Sequence, residues 1–187
     1  MNAVKRHPVM AAGSGLILAA IVALSLYLGV SITTANEGKN FIEFEGSYVG
    51  SRTIDGSTPG VLLVMTGPDA GDTTSLGSFT RTGFMVEDIT AVPERCGENP
   101  GGTGIAGLAT YAFADTGDIL VAKRTGAEVC ILVSEGRSDG LLDFEVIGGT
   151  GRFESAKGKI KERASGDLVT GEVSATLSGR VRISDDD

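Results

Sequence analysis

The stretch Val169-Thr-Gly-Glu-Val-Ser-Ala-Thr-Leu-Ser-Gly-Arg-Val-Arg-Ile183 decides the fold class, because apolar or small residues alternate with polar ones along its length. A period of two residues predicts a β-strand with one dry face and one wet face. Its length favours coiling into a closed barrel, in which no strand edge stays unpaired. Gly171 and Gly179 lie on the apolar side, where glycine permits the bends that closure requires.

The chain beyond Asn36 has the same character throughout. No window carries a helical period of useful length, and turn signals such as Asp55-Gly56, Thr125-Gly126 and Asp139-Gly140 recur regularly. Such a pattern is typical of an antiparallel sandwich or barrel, and the long strands favour the barrel. We predict an all-β, antiparallel, eight- or nine-stranded closed barrel preceded by one N-terminal hydrophobic helix. The candidate strands are residues 40–50, 60–66, 74–90, 104–114, 118–124, 127–134, 141–147, 156–164 and 168–183.

The N-terminal segment differs from this remainder. Lys5 and Arg6 precede Val9–Val30, a run of 22 residues without a charge, and all 24 acidic residues follow Asn36. Cations ahead of an apolar run predict export of everything downstream. We therefore interpret residues 1–35 as a signal peptide or transmembrane anchor. Residues 36–187 are then an exported barrel domain that ends in an acidic tail.

The sequence leaves the fate of this leader open. Thr33-Thr34-Ala35 has the small residues of a signal-peptidase site, which predicts release after cleavage near Ala35. The apolar run is also long enough to cross a bilayer as a helix, in which case residues 9–32 anchor the chain. Both fates predict an extracytoplasmic location, either periplasmic or secreted.

Two cysteines, Cys96 and Cys130, lie in the exported part. An even number of cysteines in an oxidising compartment predicts a disulfide, with two free thiols as the alternative. Cys96 lies in a loop rich in glycine and proline, and Cys130 lies in an apolar run. The bridge would therefore fasten a loop to a strand.

Composition restricts the chemistry. The net charge is −8 and no long run of one sign predicts a nucleic-acid partner. The single histidine, His7, lies in the leader, which excludes a Ser-His-Asp triad, a Cys-His pair and a histidine-ligated metal from the exported domain. The turns at residues 69–72 and 115–118 lack the ligand count of a calcium loop. We expect no cofactor and no metal.

The turn Gly148-Gly-Thr-Gly-Arg-Phe153 resembles one that recurs in bacterial relatives of the allene oxide cyclase and dirigent barrels. The stretches Leu76–Thr80, Phe113–Leu120 and Leu177–Arg180 agree in order, so the resemblance covers roughly residues 41–183. It implies an eight-stranded antiparallel barrel with a hydrophobic lumen, in proteins that often assemble as trimers.

The resemblance extends to plant enzymes, which use the lumen in two ways. One cyclises an unstable fatty-acid epoxide with a buried glutamate and an ordered water. The other orients phenoxy radicals with paired aspartates and an arginine. The matching residues here are mostly turn formers and include none of those side chains, so no catalytic role is carried over.

Two pairs of acids are candidates for catalysis in the lumen. Each pair is spaced i and i+2, which places both carboxylates on one face of a strand. Facing inward, such a pair can work as acid and base, with an arginine as counter-charge. Facing outward, the acids form the wet side of half-buried strands. The acids are Glu43, Glu45, Asp143 and Glu145, and the candidate counter-charges are Arg52 and Arg81.

Two further motifs have plain structural interpretations. Gly102-Thr-Gly104-Ile-Ala-Gly107 spells a dinucleotide-binding fingerprint, but strand-like sequence follows it where that site needs a helix. The stretch Lys157-Gly-Lys-Ile-Lys-Glu-Arg163 puts four cations on one side of a strand. They suit a solvated face, or an anionic partner such as a lipid headgroup.

Two functions of different classes follow. The first is a non-enzymatic exported barrel that acts as an accessory or interaction subunit or binds a small apolar ligand. The second is an isomerase or cyclase that uses a carboxylate in the lumen. The expected partners are the membrane if the leader is retained, a small apolar ligand, and a homo-oligomer such as a trimer or a larger membrane complex. A filled lumen argues against the enzyme, and a large cavity with a buried acid argues for it.

Overall fold

Strand pairing closes the chain into a barrel. The computed structural model describes residues 41–183, in which each strand pairs antiparallel with its two neighbours and the last pairs with the first. The predicted all-β closed barrel is confirmed, with eight strands. They are β1 (Phe41–Asp55), β2 (Val61–Thr73), β3 (Gly77–Asp88), β4 (Gly101–Phe113), β5 (Ile119–Leu132), β6 (Arg137–Gly149), β7 (Lys157–Asp167) and β8 (Glu172–Arg182).

The predicted leader, residues 1–35, lies outside the described residues. The N-terminal hydrophobic helix and the domain boundary at residue 36 therefore stay predictions. Within residues 41–183, none of the helical segments has the length and hydropathy needed to span a membrane.

Eight strands form instead of nine because one predicted turn is part of a strand. Thr125-Gly126 lies inside β5, where the pairing with β6 shifts register between Arg124 and Gly126. Glycine in a strand interior commonly marks such an irregularity. The predicted strands at 118–124 and 127–134 are therefore one. Asp139-Gly140, also predicted as a turn, lies inside β6.

The alternating stretch at the C-terminus is a strand, as predicted, but it begins later. Gly171 has a φ of 76°, which ends the turn from β7, and β8 starts at Glu172. Val169 therefore lies in the turn and is 89% exposed. From Val173 onward the apolar side faces the interior, with Leu177 and Val181 fully buried.

Aromatic residues close one end of the barrel, where β2 joins β3, β4 joins β5 and β6 joins β7. The Gly148–Phe153 turn carries Phe153 into the interior, with its ring centre 5.3 Å from that of Phe113. Phe113 in turn contacts Phe79, at 6.1 Å between ring centres. Such pairs add to the free energy of burial, so this end is a packed core.

The opposite end carries the connections at residues 56–60, 89–100, 133–136 and 168–171, and we call it the mouth. Here the predicted disulfide is present between Cys96 and Cys130, with a Cα–Cα distance of 5.3 Å. Both cysteines are buried. The bridge fastens the long β3–β4 connection to β5, as the sequence predicted.

Candidate functional site

The four acids predicted as catalytic candidates lie on the outside of the barrel. All are exposed, while Phe44 and Phe144 take the inward positions between them. The larger apolar side chain of each alternating pair occupies the interior, which turns the neighbouring carboxylates towards water. None of these four is therefore a carboxylate of the lumen. The outward acids are Glu43, Glu45, Asp143 and Glu145.

Two of these outward acids lie beside cations of the neighbouring strands. Glu43 lies 3.5 Å from Arg180 and Asp143 lies 3.9 Å from Lys161. The alternating cations of β7 are thus part of a mixed-charge surface, which agrees with the solvated-face interpretation.

Three other acids face the interior, and sequence reasoning missed all of them. Glu162, Asp69 and Glu87 are each no more than 5% exposed. A signal for Glu162 was present, because it alternates with the cations of β7 and so shares the inward side with Ile160. Asp69 follows a register shift between Thr66 and Asp69 in β2, which sequence periodicity alone does not show.

Glu162 lies in the middle of the barrel and is fully hydrogen-bonded. Arg81 binds it through two nitrogens, with Nε 3.0 Å from Oε1 and Nη2 3.1 Å from Oε2. The Tyr111 hydroxyl donates to Oε1 at 2.6 Å, and the Tyr48 hydroxyl donates to Oε2 at 3.1 Å. Arg81 also lies 3.3 Å from Asp69 through Nη1. We call these five residues the central cluster.

Burial and pairing set the charges of the central cluster. Burial and the Glu162 carboxylate raise the pKa of Tyr48 and of Tyr111 well above the ordinary value, so both hydroxyls stay donors. Burial opposes the charge on Arg81, but Glu162 outweighs it and raises the pKa of the guanidinium. A bidentate pair with every acceptor occupied holds the barrel together, and it leaves Glu162 no free lone pair for a ligand.

A cavity of about 60 Å³ lies between the central cluster and the mouth. Three polar side chains reach it, from Arg52, Glu87 and Ser138. The rest of its wall is mostly apolar and comes from six of the eight strands and the turn after β7. The apolar wall is Ile54, Leu62, Val64, Met85, Val129, Ile131, Leu142, Ala164 and Leu168.

Glu87 connects this cavity to a second buried ion pair. Its Oε1 lies 3.5 Å from Nη1 of Arg124. The Arg124 side chain packs against Gly104 of β4, where any larger residue would collide with it. A Cβ on Gly104 would come within 2.7 Å of the guanidinium. The glycines of the fingerprint-like motif therefore make room for an arginine. Burial raises the pKa of Glu87 despite the opposing attraction of Arg124.

Solved structures with a similar fold include the pterocarpan synthase dirigent protein GePTS1, with a TM-score of 0.48 and 14% identity, covering 80% of this chain and 88% of that one. A second is the pterocarpan synthase dirigent protein PsPTS1, with a TM-score of 0.46 and 15% identity, covering 78% of this chain and 97% of that one. No protein-family model and no curated protein matches the sequence of this chain. The bacterial origin implied by the resemblance stays a prediction.

The outside of the barrel has an uncharged region on β2, β3 and β4. Cross-strand neighbours there are apolar, with Met65 opposite Phe84 and Phe84 opposite Leu108. Met65 is 50% exposed and Phe84 is 38% exposed. We call this region the apolar face, and it consists of Leu63, Met65, Phe84, Val86, Ala106 and Leu108.

Other openings and clusters add no chemistry to the interior. Grooves of about 520 to 660 Å³ lie on the outer surface across β1, β6, β7 and β8. Over residues 41–183, no group of three histidines, cysteines or acids is arranged to hold a metal ion. The mouth cavity is therefore the candidate site.

Proposed function

We propose that this protein is an extracytoplasmic barrel that binds a small apolar molecule at its mouth. The observation that carries the proposal is the mouth cavity, an apolar pocket with Arg52, Glu87 and Ser138 as its polar groups. Apolar pockets with a few convergent polar groups are the usual form of small-molecule sites. Burial of apolar ligand surface supplies the affinity, and the polar groups orient the ligand.

Two features support an extracytoplasmic location. Disulfides persist in oxidising compartments, and the Cys96–Cys130 bridge is buried beside the mouth. The uncharged run Val9–Val30 predicts export. N-terminal sequencing of the purified protein distinguishes the two fates of that run, because cleavage near Ala35 removes it and an anchor retains it.

The binding proposal is tested by methyl NMR with cyclohexanol as a neutral probe of the cavity. We expect shifts at Leu62, Met85 and Leu142, which line the cavity, and none at Met65 on the apolar face. Saturable shifts at the cavity methyls support the proposal. Shifts confined to the apolar face, or none, overturn it.

A pair of matched variants makes this test specific. Ala164 lines the cavity, so Ala164→Leu fills it and abolishes the cyclohexanol shifts. Ala106→Leu makes the same change on the exposed apolar face and leaves them intact. Equal effects of the two variants would assign the probe to a different site.

An isomerase that uses Glu87 is the second candidate. The position of this acid favours it, whereas the volume of about 60 Å³ is small for an enzyme site. Glu87 borders the cavity, and its raised pKa suits proton exchange with a bound carbon acid. Exchange of the α-protons of cyclohexanone in D₂O tests this candidate. An isomerase accelerates the exchange in the wild type but not in Glu87→Gln, whereas a binding protein accelerates it in neither.

We also propose an interaction role for the apolar face, with a second copy of this chain as the occupant. Contiguous exposed apolar residues mark association sites, and the resemblance to barrels that assemble as trimers suggests self-association. The mixed charges of β6, β7 and β8 leave the opposite side hydrated. Multi-angle light scattering of the purified protein gives the number of copies.

A further inference from the structure

Arg52 differs from the other arginines of the interior. It lines the mouth cavity and donates a hydrogen bond from Nη2 to Ser138 Oγ at 2.9 Å. Arg81 and Arg124 each form ion pairs with buried acids. No acid among residues 41–183 forms an ion pair with Arg52. A half-buried cation therefore faces the cavity without an anionic partner in contact.

The surroundings of Arg52 make its positive charge costly. Burial lowers the pKa of its guanidinium, and the more distant charges of Glu87 and Asp167 only partly offset that effect. A charge removed from water is stabilised when an opposite charge contacts it and completes its hydrogen bonds. Ile54 and Leu168, both at the cavity wall, supply neither.

We propose that the ligand of the mouth cavity carries a carboxylate, which Arg52 binds. This inference rests on the proposed binding function and names the ligand class. Guanidinium and carboxylate match in geometry, and Arg52 has donors beyond the one that contacts Ser138. The apolar wall then contacts a compact aliphatic or aromatic body.

The charges around the site permit an anion there. Glu87 is the cavity acid, and it already forms an ion pair with Arg124 on β5. Asp167, at the end of β7, is exposed to water, which screens its charge. Arg52 and Arg124 therefore place two positive charges near one buried carboxylate, that of Glu87. One bound anion brings the net charge of these groups to zero.

The size of the cavity bounds the ligand. The cavity offers about 60 Å³, which admits one edge of a small ring or the end of a short chain. Ile54 and Leu168 at the wall are 49% and 38% exposed, so the cavity opens towards solvent between apolar side chains. A longer body extends outward along them.

The test compares cyclohexanecarboxylate with its neutral amide by calorimetric titration of the full-length protein. We expect the carboxylate to bind about tenfold more tightly than the amide, as one charge-assisted hydrogen-bonded pair predicts. Arg52→Gln reduces this preference to less than about twofold without changing the affinity for the amide. Arg163→Gln, an exposed arginine of the outer surface, leaves the preference intact.

A second measurement keeps the inference testable if Arg52→Gln does not fold. In the wild type, the Nε–H resonance of Arg52 shifts on addition of the carboxylate and not on addition of the amide. Equal affinities in the wild type, or a preference that survives Arg52→Gln, overturn the carboxylate assignment. If cyclohexanol still shifts the cavity methyls, only the ligand class is wrong; if no probe does, the proposed function fails as well.

Discussion

Arg81 and Glu162 form a bidentate ion pair in the middle of the barrel, with Nε 3.0 Å from Oε1 and Nη2 3.1 Å from Oε2. They belong to β3 and β7, which are not neighbours in the sheet. The pair therefore crosses the lumen and joins opposite walls. It divides the interior into a packed aromatic end and the cavity at the mouth.

Removing one partner of this pair is expected to destabilise the barrel strongly. Glu162→Gln leaves the Arg81 charge buried with only Asp69 in contact, which costs about 3–5 kcal/mol of unfolding free energy. Urea denaturation followed by circular dichroism measures this. Glu145→Gln, on the exposed side of β6, serves as the control and changes stability by less than about 0.5 kcal/mol. Equal losses of stability in the two variants would mean that the Glu162 side chain is exposed to water.

The pH dependence of stability follows from Glu87. Its folded pKa is raised by burial, so its proton stabilises the folded state fully below the unfolded value of about 4.3. That contribution is lost as the pH rises through the folded pKa. Relative to Glu87→Gln, which mimics the protonated side chain, the wild type loses stability as the pH rises above the unfolded pKa. Parallel stability curves for the two proteins would contradict this account.

The disulfide is expected to supply a measurable share of the stability. It joins residues 34 apart, and the chain-entropy relation gives about 3–4 kcal/mol for a loop of that length. Dithiothreitol should lower the urea midpoint accordingly. The double variant Cys96→Ala/Cys130→Ala has no bridge, so the same reductant leaves its midpoint unchanged. A midpoint insensitive to reduction in both proteins would show that the bridge does not stabilise the barrel.

Charge placed on the apolar face is expected to break self-association. Phe84 is 38% exposed and lies among apolar neighbours, so Phe84→Lys would bury a charge in any interface there. Light scattering should show a shift from oligomer to monomer. Val49→Lys adds the same charge on β1, outside the apolar face, and leaves the oligomer intact. An unchanged mass for Phe84→Lys would exclude the apolar face as the interface.

The sequence predicts the barrel well because strand alternation is a local property. The apolar side of Val173–Ile183 faces inward as its pattern indicates. The strand count is not a local property, since a glycine such as Gly126 marks either a turn or an irregularity within a strand. The pairing of Gly126 with Asp143 on β6 shows that it lies within a strand, and this contact is not visible in the local sequence.

The interior chemistry was harder to predict. Glu43 and Glu145 qualify as catalytic candidates only if they face inward, and each alternates with a phenylalanine that takes the inward position. Arg81, named only as a counter-charge, is in fact central. The cavity itself depends on side-chain volumes from strands distant in sequence, such as Leu62 and Ala164. No local pattern encodes that space.

A crystal soaked with bromocyclohexane tests the central claim most directly, because bromine is located by its anomalous scattering. We expect a bromine peak in the mouth cavity, among Leu62, Met85 and Leu142 and on the mouth side of the central cluster. Ala164→Leu crystals should lack that peak. Bromine found only on the apolar face, or a wild-type cavity that stays without it, would contradict the assignment of the mouth as the binding site.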